Sequence, residues 1–186
     1  MQFTDANPLL TITANQFAND YNLLKLITSN FTMKVTNVLA AGTASVLANS
    51  KVTSIEISDT EANISKKIDT LKPLVDSGKI VEIKVTDPLS TLVVTGSQAS
   101  NSTSVLNKVV SSNTSAILNL KITGVTASTA TGTTYSTLDQ NYNLSYTVSD
   151  SVGNIKNNFS SLSNLGSKLS SITLTSVGGI LELSAS

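Results

Sequence analysis

Asp59 and Asp150 each follow a serine, each stand where an alternating apolar pattern gives way to a helical one, and each precede an Asn-Ile pair (Asn63-Ile64, Asn154-Ile155). A carboxylate repeated at one structural position has two chemistries open to it. It can bind a hard cation such as Ca2+, with Glu61 and Asp87 as further oxygen donors in the first copy. It can instead accept the orphan amide protons of a helix start, where negative charge also suits the helix dipole. No stretch has the D-x-D-x-D-G spacing of an EF-hand or a GGxGxD nonapeptide. Capping is therefore the favoured role, and Asp59, Glu61, Asp87 and Asp150 remain the candidates if Ca2+ binds. A second chemistry is offered by Tyr135 and Tyr142, which flank a Thr/Ser/Ala/Gly-rich segment at 124–140. An exposed Tyr in such a segment could stack on a sugar.

Catalysis has little to work with. Hydroxyls abound, but the chain has no His and no Cys, and all 12 cationic side chains are Lys. That removes the commonest general base, the thiolate nucleophile and the bidentate guanidinium. Ser65 precedes Lys66, yet neighbours in a helix do not face each other. No catalytic or cofactor-binding residue is assigned, and the expectation is a non-enzymatic protein. Twelve Lys against 12 Asp+Glu give zero net charge, so no electrostatic footprint for nucleic acid is present. No window of about 20 apolar residues suggests a membrane span.

The elements that must position these residues are written twice. Leu10-Thr-Ile-Thr13 with Gln16, Asn19 and Leu24 returns as Leu92-Val-Val-Thr95 with Gln98, Asn101 and Leu106. Ser58-Asp59, Ile68 and Leu71 return as Ser149-Asp150, Phe159 and Leu162. Such repetition marks an array built from one supersecondary unit. The units are expected at 1–88 and 89–178, with 179–186 opening a third. Strands are read at Leu10 to Thr13, Phe31 to Val35, Ile55 to Ile57, Val81 to Val85, and at their second-copy counterparts. Helical stripes run through Phe17, Tyr21, Leu24 and Ile27, through Ile64, Ile68, Leu71 and Val75, through Val105, Leu106 and Val109, and through Ile155, Phe159, Leu162 and Leu165. Ser58-Asp-Thr-Glu61 has the pattern of a capping box. Residues 38–50 and 124–140 differ most between the copies and read as exposed loops.

Each copy thus reads β-α-β-β-α-β, an α+β class with helices on one sheet face and solvent on the other. The expected plan is the split βαβ, or ferredoxin-like, unit. The alternative is a continuous α/β solenoid in which each half-repeat adds a rung; it predicts strands of one copy pairing with strands of the next.

The run Ile57-Ser-Asp-Thr-Glu-Ala-Asn-Ile64, the helix with Leu71, then Ile83-Lys-Val-Thr-Asp87 and Leu92-Val-Val-Thr-Gly-Ser-Gln98 resemble tandem repeats of very large bacterial surface proteins. These are type I-secreted, adhesin-like or S-layer-like chains. The resemblance implies an extracellular or cell-surface module with a spacer, adhesive or coat role, partnered by neighbouring repeats. The composition agrees: Ser, Thr and Asn make up 72 residues and solvate a surface without charge, while a chain without Cys cannot mispair in an oxidising exterior. The alternative function is a glycan- or protein-binding module using residues 124–140.

Overall fold

A computed structural model describes residues 7–87, 89–113 and 116–176; the third unit expected at 179–186 lies outside them. The chain divides into two compact units, Met1–Pro88 with Lys108–Ala116, and Leu89–Asn107 with Ile117–Ser186. Segment 108–116, which belongs by sequence to the second copy, is thus part of the first unit.

The first unit runs β1 (Leu9–Thr13), α1 (Ala14–Asn19), α2 (Tyr21–Leu24), β2 (Thr32–Val38), a 3-10 turn (Ala40–Gly42) leading into α3 (Thr43–Leu47), β3 (Val52–Asp59), α4 (Glu61–Asp76) and β4 (Ile80–Val85). All its strands pair parallel, in the order β1-β2-β3-β4-β6, where β6 is Val109–Ser111. The second unit holds β5 (Thr91–Thr95), α5 (Gly96–Asn101), α6 (Thr103–Leu106), β7 (Leu118–Val125), α7 (Ala127–Thr131), α8 (Ser136–Asp139), β8 (Tyr142–Asp150), α9 (Val152–Asn157), α10 (Phe159–Ser163) and β9 (Leu169–Leu174). Its sheet is also parallel throughout, in the order β5-β7-β8-β9.

The mixed α/β character is as expected, but the ferredoxin-like plan is not what forms. That plan needs a hairpin between its middle strands, hence antiparallel neighbours. Here residues 38–50 and 124–140 are helical crossovers, not loops, and they return the chain to the end where the previous strand began. Their inward faces carry Ala40, Thr43 and Val46 in one unit and Ala127, Ala130, Tyr135 and Leu138 in the other, all buried. Within each sheet strand order therefore follows chain order, β5 lying in the other sheet from β4 and β6. Val109, expected in a helix, lies instead in β6.

Alternation buries one face of β2, β3, β4, β5, β7 and β8. In the first unit Met33, Val35, Ile55, Ile57, Ile80 and Ile83 on the strands, and Ile64, Ile68 and Leu71 on α4, are all essentially without solvent contact. Each such side chain contributes about 1.5–3 kcal/mol by leaving water. The opposite face is polar, with Lys34 paired to Glu56 across β2 and β3. Helix α4 runs through Pro73, which stands in its last turn, and stops at Gly78. Gly78 takes φ +73°, while Lys79 N–H donates to Leu74 O (2.8 Å) and Gly78 N–H to Val75 O (2.9 Å). That is a Schellman stop, for which a residue without Cβ is suited.

Candidate functional site

The second strand of each unit ends in the same irregularity. The β2–β3 register shifts between Val35 and Val38, and the β7–β8 register between Ile122 and Val125. Within each shift sits one left-handed residue, Asn37 (φ 57°) or Gly124 (φ 67°), the two residue types that visit this region most readily. The chain then turns so that the backbone amide of Ala40 or Ala127 points at the carboxylate ending the next strand.

That carboxylate is Asp59 or Asp150, and its surroundings repeat donor for donor. Asp59 Oδ2 accepts Ala40 N–H at 2.9 Å; its Oδ1 accepts Thr60 N–H at 2.8 Å and Asn63 Nδ2 at 2.7 Å. Asp150 Oδ2 accepts Ala127 N–H at 2.9 Å, and its Oδ1 accepts Ser151 N–H at 2.8 Å and Asn154 Nδ2 at 2.7 Å. Both aspartates are buried. The Asn154 side chain and then the Ala127 amide hold the Asp150 carboxyl below its ordinary value, outweighing the burial that opposes them. The backbone carbonyls of the same residues accept Thr86 N–H and Thr175 N–H, both at 2.9 Å. One residue thus fastens the preceding crossover, its own helix and the strand that follows.

The helix caps themselves are Thr60 and Ser151, which accept Asn63 N–H and Asn154 N–H. The N-cap expected at Ser58 therefore lies two residues on, at Thr60, because Ser58 and Asp59 still belong to β3. True capping boxes occur at Thr13 with Gln16 and Thr95 with Gln98, where the repeated glutamines had no assigned role. Asn63 and Asn154 were also missed as functional; their fixed spacing of four from the aspartate was the available signal.

Of the Ca2+ candidates, Asp59, Glu61 and Asp87 come together at one end of the first sheet, and Asp150 stands in the other unit. Asp87 Oδ1 accepts Glu61 N–H at 2.7 Å, and Glu61 Oε1 accepts Ser65 Oγ at 3.0 Å. Among the described residues, no group of three or more His, Cys, Asp or Glu side chains is placed to hold a metal ion. In the second unit Ser176 Oγ takes the place of Asp87, accepting Val152 N–H at 3.4 Å. The arrangement there is kept without the carboxylate, as a backbone-holding role allows.

Tyr135 and Tyr142 are core residues, with 4% and 3% of their surface exposed. Neither ring is offered to a sugar from the surface. Tyr135 Oη donates to Gly96 O (3.1 Å) and its ring stacks on Tyr146 at 6.1 Å, while Tyr142 Oη donates to Leu106 O at 2.6 Å. They tie the second unit's later elements to α5 and α6. Ser65 is engaged by Glu61, and Lys66 faces solvent.

No protein-family model, curated protein or solved structure matches the chain. No described helix is long and apolar enough to cross a membrane.

Proposed function

We propose that the chain is a non-enzymatic structural repeat module, a solenoid-like stack of strand–helix rungs carried by a secreted or cell-surface bacterial protein as a spacer, coat element or adhesive stalk. The observation that carries this reading is the aspartate cradle repeated in both units with the same three donors at the same distances. A buried charged group kept twice in one hydrogen-bonded role is a fastening between successive rungs. Within each sheet the parallel strands lie in chain order, which supports the same reading. The outward location rests on composition and on the resemblance to surface-protein repeats. Small-angle scattering on two, four and six tandem copies tests the proposal. The maximum dimension is expected to grow linearly with copy number; a dimension that saturates as copies are added would refute it.

A further inference from the structure

Two pairs of segments in the fold are counterparts: β4 with β9, and β6 with residues 27–29. Strand β4 is covered on its outer edge by β6, in the register Ile83 to Val109, Lys84 to Val110 and Val85 to Ser111. The ladder includes Ile83 N–H to Lys108 O and Ser112 N–H to Val85 O, both 2.9 Å. Beneath this cover Ile83 and Val85 are 0% and 1% exposed. Strand β9 is the second unit's counterpart of β4 and, among the described residues, is the edge of its sheet. Ile172 and Leu174, which correspond to Ile83 and Val85, are 38% and 40% exposed.

The counterpart of β6 in the first copy is Ile27-Thr-Ser29. The same shift that carries Thr13 and Gln16 onto Thr95 and Gln98 carries it onto Val109–Ser111, and both segments leave a short helix through a two-residue turn. Ile27 to Ser29 belongs to no strand in this structure. It borders an open apolar cleft of about 320 Å³ lined by Leu10, Ile12, Leu23, Leu24 and Ile27. At the corresponding positions of the second copy Leu92, Val94, Val105 and Leu106 are buried.

We infer that Ile27–Ser29 is a strand donor for a second copy of this chain, adding in parallel to the β9 edge of that copy as β6 adds to β4. The register pairs Ile27 with Ile172, Thr28 with Thr173 and Ser29 with Leu174. Strand addition of this kind supplies main-chain hydrogen bonds to an open edge and covers its apolar side chains. The donor and acceptor are different surfaces, so the contact is heterologous and propagates head to tail. The inference rests on the repeat reading above and extends it from repeats within one chain to separate molecules.

Thr28 and Thr173 are both exposed, and paired residues on neighbouring strands point to one face at a spacing a disulfide can span. The chain has no other Cys. Under oxidising conditions a mixture of the full-length Thr28→Cys and Thr173→Cys variants is expected to form a disulfide-linked dimer that neither variant forms alone. Adding Thr28→Pro to a wild-type background removes an amide from the donor, and Ile172→Lys charges the acceptor; each is expected to abolish concentration-dependent association in sedimentation velocity while leaving the circular dichroism spectrum intact. No dimer in the mixture, or equal dimer in all three samples, overturns strand donation. If the tandem copies still lengthen linearly in that case, the repeat reading stands without it.

Discussion

The buried aspartates are the residues most exposed to test. The folded-state pKa of Asp150 is depressed, so the native chain binds this proton less tightly than the unfolded chain. The stabilisation is whole above the unfolded carboxylate value of about 3.9 and is lost as pH falls through the folded value. Asp150→Asn keeps one acceptor oxygen but turns an amide toward a donor. It is expected to lose about 2 kcal/mol at neutral pH, within the range for hydrogen bonds to charged groups, and clearly less at pH about 3. Urea unfolding at both pH values checks this, and an equal loss at both contradicts the role given to the charge. Tyr146 responds at the other end of the scale. Burial, and then the charges of Asp139 and Tyr135, push its hydroxyl up to about 12. Here the folded value is raised, so the stabilisation is complete below the unfolded value of about 10 and disappears as pH rises through 12. Tyr146→Phe should therefore narrow the drop in thermal midpoint between pH 9 and pH 11; an unchanged drop would mean that other groups govern alkaline unfolding.

At the scale of elements, backbone shape decides which glycines are replaceable. Gly124 holds a left-handed conformation with nothing near its missing Cβ, whereas Gly153 lies in α9 with ordinary dihedrals and equally open space. Gly124→Val should cost about 1–2 kcal/mol in backbone strain, and Gly124→Asn less, since Asn37 already serves at the matching position. Gly153→Ala should raise stability by about 0.5–1 kcal/mol. Chemical denaturation of the three variants orders them, and Val tolerated as well as Asn would deny the left-handed requirement. These bulges were illegible in the sequence because Asn and Gly share no obvious pattern until the backbone is seen. The strands and α4 were legible for the opposite reason: Ile, Leu and Val at strict periods of two or of three to four leave little choice. The crossovers at 38–50 and 124–140 hide because Ala40, Thr43, Ala127 and Ala130 supply much of their buried faces, and such small side chains read as loop. Read as loops, they make the middle strands look like a hairpin and hide the parallel order. Tyr135 and Tyr142 misled in the same way, since a polar neighbourhood in sequence concealed hydroxyls that meet buried carbonyls.

Over the whole molecule, the boundary in sequence and the boundary in space differ. Lys108–Ala116 belongs to the first unit although α5 and α6 before it and β7 after it belong to the second. The edge of the first sheet is therefore completed by residues that follow the whole of the first copy, and protection of that edge must depend on them. Ile83 N–H donates to Lys108 O and is shielded there; without β6 it would face water. Val110 has its side chain on the exposed side of β6, so Val110→Pro strikes the ladder through the lost amide with little disturbance to the core. Hydrogen exchange at Ile83 should speed up markedly in this variant, because the amide passes from a protected to a locally open class. Exchange at Ile122 in the second unit should stay unchanged. Acceleration at both amides would mean general destabilisation, and acceleration at neither would mean that β6 adds nothing to the edge it covers.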